Sequence, residues 1–177
     1  MALKYVGVQR AAIEYESEDL FRNYVGEDAE EVERVHSSPD KYETPEDFEK
    51  LGEGIKDLSA RFEASDEGKK VKLLSDKISL NNFNRQSLID VGRGVFKDGV
   101  NGYTIVAFFS FCKHLFLRAI RSIRDSAIEV YRWTTSFIVD KICPWVEEQG
   151  GWMKVLAIIA AVLGGAVLAV GVGIMLL

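Results

Sequence analysis

The chain has 177 residues, 22 Lys and Arg against 27 Asp and Glu for a net charge of −5, and two cysteines. That length fits one domain of ordinary size, and the acidic balance argues against a nucleic-acid partner, which wants a basic face. Cys112 and Cys143 sit in apolar surroundings and His36 and His114 have no ligand-spaced neighbour, so neither a disulfide framework nor a metal site is expected, and a reducing compartment fits.

The first dozen residues give no clear pattern, and they lack the basic end and long apolar core of a signal peptide. From Ser17 the apolar residues Leu20, Phe21, Tyr24, Val25, Val32 and Val35 recur at helical spacing. Ser17 is expected to be the N-cap, with Glu18 and Asp19 in the first turn. Residues 36–42 are polar, contain Pro39 and predict a loop. Thr44, Pro45, Glu46 and Asp47 then carry a strong helix-start signal. Phe48, Leu51, Ile55, Leu58 and Phe62 step by three and four and form one apolar stripe. Gly52 and Gly54 lie within this helix at about 1 kcal/mol each against Ala. They are either tolerated drift or a place where another backbone comes close.

Residues 65–68 predict a turn, and 70–78 a short helix with Val71, Leu74 and Ile78 inward. Asn81, Asn82 and Asn84 break the chain again. Residues 87–96 predict a helix with Leu88, Val91 and Val95 inward. The polar turn 97–102 leads into the most apolar stretch of the domain, in which Ile105, Val106, Ala107, Phe108, Phe109, Phe111, Cys112, Leu115, Phe116, Leu117, Ala119 and Ile120 leave almost no polar face. A helix that is hydrophobic all round is buried in a core or spans a membrane. Lys113 and His114 interrupt the run below the ~20 residues of a span, so a central core helix is expected. A long helix over 124–140 buries Ile128, Tyr131, Trp133, Phe137 and Ile138, and a short one covers 141–149. Gly150 and Gly151 stop it at Trp152. No strand-length alternation appears, so the expected fold class is all-α.

Residues 155–177 carry no charge over 23 positions. As a helix they reach about 34 Å at 1.5 Å per residue, enough for a hydrocarbon core of about 30 Å. Lys154 marks the cytoplasmic edge. The expected organisation is a helical domain over 1–153 and a transmembrane tail anchor over 154–177, the domain facing the cytosol. Ala157, Ala161, Gly165, Ala169 and Gly173 are spaced by four, the small-residue stripe that lets two membrane helices pack. No catalytic constellation is found: Gly92-Arg93-Gly94 lacks the phosphate-loop spacing, and Ser110 with His114 has no positioning acid. The chain is read as a non-enzyme without cofactors, suited to holding a helix in a groove and to sitting in a membrane.

Two motifs carry a resemblance. Val95-Phe96-Lys97-Asp98-Gly99-Val100-Asn101, leading into Ile105-Val106-Ala107-Phe108-Phe109-Ser110-Phe111, resembles the first homology motif of the Bcl-2 family of apoptosis regulators. Pro144-Trp145-Val146-Glu147-Glu148-Gln149-Gly150-Gly151-Trp152 resembles the second. The third-motif pattern is a Leu, two residues, an apolar residue, Gly-Asp, and an apolar residue two further on. Phe48, Leu51, Gly52, Glu53 and Ile55 fit it, with Phe for Leu and Glu for Asp; a second register over 55–62 keeps the stripe but loses the acid.

The resemblance implies a helical bundle around a central apolar hairpin, with a groove that takes the third-motif helix of a family partner. It assigns Val91, Val95, Phe96, Val106, Phe109 and Leu115 to the groove floor, Asn101 and Thr104 to its motif, and Trp145, Gly150, Gly151 and Trp152 to the second motif. Thr104 departs from the family, which presents an Arg there to the partner's Asp. Residues 18–25, 113–119 and 137–152 are similar to membrane-permeabilising effectors, and 107–111 to the guardians that oppose them. The resemblance implies action at the mitochondrial outer membrane or the endoplasmic reticulum, with a lean to an effector that forms homo-oligomers.

Overall fold

The computed structural model describes residues 2–26, 46–122 and 124–164. Eight α-helices are present among them: α1 (Ala2–Val25), α2 (Glu46–Ala64), α3 (Asp66–Lys77), α4 (Arg85–Val95), α5 (Gly102–Ser122), α6 (Arg124–Phe137), α7 (Cys143–Gln149) and α8 (Trp152–Gly164). A 3-10 turn at Leu80–Asn82 precedes α4, and a π-helical turn at Ile138–Ile142 joins α6 to α7. The predicted loop over 36–42, the Thr44-Pro45 start signal, Val32 and Val35, and Gly165, Ala169 and Gly173 lie outside the described residues, as do the side chains of Phe48 and Leu51.

Helix α5 is the core. Ile105, Val106, Ala107, Phe108 and Phe109 are five consecutive residues, each at most 3% exposed. At about 100° per residue they point all round the helix, so α5 needs cover on every side. Helices α1, α2, α3, α4, α6 and α8 supply it. By length and composition α5 is the described helix that could cross a membrane, yet most of it is buried inside the bundle.

The covering helices present the stripes that their sequences predict. Helix α2 buries Ile55, Leu58 and Phe62. Helix α4 buries Leu88, Val91 and Val95 and is opened by a capping box between Asn84 and Ser87. Helix α3 starts earlier than its apolar pattern suggests, because the Ser65 hydroxyl accepts from the Gly68 amide at 3.0 Å and turns the expected turn into an N-cap. Its other end is closed by Arg118 of α5, which donates to the carbonyls of Ser75 and Ile78, carbonyls that a helix terminus otherwise leaves unpaired.

Helix α1 differs from expectation. It runs unbroken from Ala2, and Ser17 is inside it rather than at its start. The Ser17 hydroxyl donates to the Ile13 carbonyl at 2.6 Å and accepts from the Trp152 indole N–H at 2.7 Å, and Cys143 Sγ lies 2.9 Å away. A hydroxyl in mid-helix can bond back to the preceding turn, and here a tertiary partner engages its oxygen as well. One buried group thereby ties α1, α7 and α8 together. Around it, Phe109 meets Phe21 edge-on at 5.3 Å and Tyr24 at 5.5 Å, with Trp152 at 6.2 Å.

Helix α8 is the second difference. Trp152, Val155, Leu156 and Ile159 are buried within the bundle, although from Val155 onward the sequence reads as membrane anchor. Replacing Trp152 with Ala should therefore cost about 3–5 kcal/mol of folding stability, measured by chemical denaturation of the full chain in mild detergent. A loss below about 1 kcal/mol, the scale of an ordinary surface change, would place the indole outside the fold.

Candidate functional site

The site is built on the start of α5. The Asn101 side-chain carbonyl accepts from the Thr104 amide at 3.0 Å, and the Thr104 hydroxyl accepts from the Asn101 amide at 3.0 Å. The same hydroxyl lies 3.0 Å from the Asn101 carbonyl, to which it donates. This is a reciprocal capping box with Thr where Glu or Gln usually stands. Thr104 is 5% exposed while Asn101 is exposed. The position at which the family resemblance places a partner-facing Arg thus holds a short hydroxyl committed to its own helix. One residue on, Gly102 is covered by α8: a Cβ placed there would stand 2.7 Å from Ile159 Cγ1 and 3.4 Å from Ile159 Cα. Only glycine allows that approach.

The residues assigned to the groove floor separate into two groups. Val91 and Val95 are buried on α4, and Phe96 is half-buried, its ring 6.0 Å from Phe137 and 5.4 Å from Phe108. Val106, Phe109 and Leu115 are fully buried. Phe109 faces Phe21, Tyr24 and Trp152, on the side of α1 and α8 rather than that of α4. The ring of α5 that meets the α4 side is Phe108, 4.8 Å from Phe137. Phe108 was not among the expected groove residues, although a step of about 100° from Phe109 is all that separates the two faces. Tyr103, also absent from that set, is half-buried against Phe62 at 5.8 Å, and loss of water pushes its phenol up to about 12.

In the third-motif helix, Gly52 and Ile55 are buried and Glu53 is exposed. Gly52 lies against the Asn23 side chain, where a Cβ would be 3.2 Å from Oδ1, and Gly54 faces Leu156 at 3.7 Å. The close neighbours of these glycines are side chains from α1 and α8. Glu63, at the end of α2, pairs with Lys113 of α5 at 2.8 Å in a half-buried setting, and the Lys113 ammonium stands 5.6 Å from the centre of the Tyr24 ring. The second motif closes α7. Gly150 is its left-handed C-cap at φ 90° and Gly151 follows at φ 102°, conformations that favour glycine. Trp145 is half-buried, and Trp152 is the latch to Ser17. Ala157 and Ala161 are exposed on α8.

Two buried groups bear on chemistry. Burial pushes the Cys112 thiol up to about 12, which keeps it protonated and unreactive. Desolvation lowers the His114 imidazole, with Lys113 and Lys72 acting in the same direction and Glu63 and Asp76 against it. Among the described residues no three His, Cys, Asp or Glu side chains gather as a metal site would require.

Comparison with known proteins gives a consistent result. The family model described as "Apoptosis regulator proteins, Bcl-2 family" matches residues 55–152. Bcl-2-like protein 1 of Gallus gallus is 38% identical over 70 residues, 39% of this chain and 31% of the relative. The human Bcl-2-like protein 1 is 35% identical over 68 residues, covering 38% and 29%. Human apoptosis regulator BAX is 29% identical over 75 residues, covering 41% and 39%. The aligned part thus spans about a third of the length of these curated relatives. Among solved structures, Trichoplax adhaerens trBcl-2L2 bound to trBak BH3 superposes with a TM-score of 0.63 at 17% identity, over 82% of this chain and 97% of that one. Geodia cydonium BHP2 in complex with Lubomirskia baicalensis Bak-2 gives 0.61 at 16% identity, over 88% and 97%.

The His114 environment sets a pH dependence. A base whose pKa is depressed in the fold stabilises it fully above the unfolded value, and that stability is lost as pH falls through it. Denaturation midpoints should therefore decrease between about pH 7.5 and about pH 5.5, and the decrease should be smaller in His114→Gln. Equal slopes in the two proteins would assign the dependence to other groups.

Proposed function

The chain belongs to the Bcl-2 family of apoptosis regulators, and from that premise we propose that it is a tail-anchored, membrane-permeabilising effector that self-associates at the mitochondrial outer membrane. The family consists of regulators rather than enzymes. The observation that carries the reading is Thr104. Its hydroxyl is buried in the Asn101 cap, so the chain brings no cation at this position to the Asp of a partner helix, and sequestering partners loses its charged anchor. Its own third-motif helix keeps its apolar stripe of Ile55, Leu58 and Phe62. Self-association draws on the small-residue stripe of the tail, whose first two members, Ala157 and Ala161, lie on the outward face of α8.

A second reading is a guardian that captures third-motif helices. It is favoured by the Bcl-2-like protein 1 relatives, which match at 35–38% identity against 29% for BAX. The two solved neighbours, both complexes with Bak-type partners, favour a receptor face in the same way. Dye release separates the readings. The full chain in phosphatidylcholine–cardiolipin vesicles, given a third-motif activator peptide, should release trapped dye. Tight peptide binding without release would overturn the effector reading in favour of the guardian.

Thr104 gives the companion test. A hydrogen bond to a charged group contributes roughly 1.5–3 kcal/mol, about tenfold to a hundredfold in affinity. Thr104→Arg should tighten binding of a peptide that bears the motif Asp by that factor and change little for the same peptide with Asp→Ala. In this double-mutant cycle the loss of the Asn101 cap largely cancels. Nanomolar binding by the parent with no gain from Arg would mean that another residue supplies the cation.

A further inference from the structure

The tail-anchor reading and the fold compete for the same residues. Residues 155–177 are the uncharged run, yet Val155, Leu156 and Ile159 are buried in the bundle with Trp152. Three contacts fix them there. The Trp152 indole donates to Ser17 at 2.7 Å. Leu156 Cδ1 would touch a Cβ on Gly54 at 3.7 Å, and Ile159 lies over Gly102 so closely that no methyl fits between. Withdrawing α8 would uncover the central helix at Gly102 and the third-motif helix at Gly54, and would leave the indole without its acceptor.

The opposite face of the same helix has no cover. Met153, Ile158 and Val162 are 51%, 39% and 49% exposed, an unusual outward set for a helix whose inner face is already the core. After Glu148 the sole charge is Lys154, at the first turn of α8. From Ala160 onward, eighteen further residues carry no charge. As a helix they reach about 27 Å at 1.5 Å per residue, within the range of about 17–25 residues that spans a bilayer. The part of the tail that the bundle does not use is therefore long enough by itself.

We propose that α8 is shared between bundle and bilayer: residues 152–159 stay packed on α2 and α5 while residues 160–177 cross the membrane, so the domain is seated on the lipid surface without a linker. The bilayer covers the outward face, with Val162 among the acyl chains, Ile158 at the interface and Met153 beside the headgroups. Lys154 is exposed one turn above and reaches the anionic surface. This rests on the tail being an anchor, and it specifies where the anchor begins.

The test uses the full chain in phosphatidylcholine–cardiolipin vesicles. In a Cys112→Ala, Cys143→Ser background, Gly54→Cys and Leu156→Cys are joined by oxidation. The disulfide should form in vesicle-bound protein in the same yield as before insertion, and the locked protein should resist carbonate extraction as well as the reduced one. An environment-sensitive dye on Val162→Cys should be quenched by lipid-borne quenchers, and one on Met153→Cys much less. Loss of insertion on locking, or loss of the disulfide on insertion, overturns the seat and means that α8 leaves the bundle. Carbonate extraction of locked and reduced protein alike overturns the anchor, and the seat with it. Val162→Cys crosslinks between copies without lipid quenching would give the outward face to a second copy of the chain. Hydrogen exchange of the unsubstituted chain guards against a variant that folds poorly: protection over residues 52–58 and 102–106 should persist on insertion, and its loss overturns the proposal.

Discussion

Nearly all of this fold follows from one constraint, that α5 has almost no face it can show to water. Six helices cover it, and its few polar groups are matched individually. Lys113 is answered by Glu63 from α2. Arg118 is answered by the last carbonyls of α3. The Thr104 hydroxyl turns back on Asn101. A charge half-removed from water is costly unless paired, so these matches also set where the covering helices stop. The polar turn in the middle of α5, which interrupts its apolar run in the sequence, thus holds α2 and α3 in register.

How much of this was legible in the sequence depended on what kind of fact was asked of it. The central helix was legible because an all-round apolar helix has few places to go. The α2 stripe and the second-motif stop at Gly150 were legible because periodicity and left-handed glycine are local. What a buried residue packs against is not local. Phe108 and Phe109 look alike in the sequence, yet one meets Phe137 and the other Phe21 and Trp152. Ser17, followed by Glu18 and Asp19, had every local feature of an N-cap, and only a tryptophan 135 positions away explains its real place. Hydropathy failed differently at Val155, Leu156 and Ile159, because it measures aversion to water and says nothing about whether lipid or protein replaces it.

Thr104 belongs between these cases. The Asn-x-x-Thr spacing from Asn101 is a capping pattern visible in the sequence, but against the family resemblance it registers first as an absent Arg. The geometry adds that the site is occupied by a different task. A hydroxyl that satisfies two backbone groups at the start of the core helix ties recognition at this position to the integrity of α5.

The π-helical turn at Ile138–Ile142 sets the direction of everything after it. A π turn closes with a longer hydrogen-bond step than an α turn, so it accommodates one extra residue in an otherwise continuous helix. Arg10 of α1 reaches this widened turn, donating to the Val139 carbonyl at 3.0 Å and lying 3.5 Å from Glu147 beyond it. Without the extra residue, α6 and α7 would be one regular helix, and α7 with α8 behind it would rotate by about 100° around the axis. The Trp152 ring would then point away from Ser17, and the tail would leave the domain on another side. A single inserted residue far from the tail thus acts as the compass of the molecule, fixing the bearing on which the chain departs.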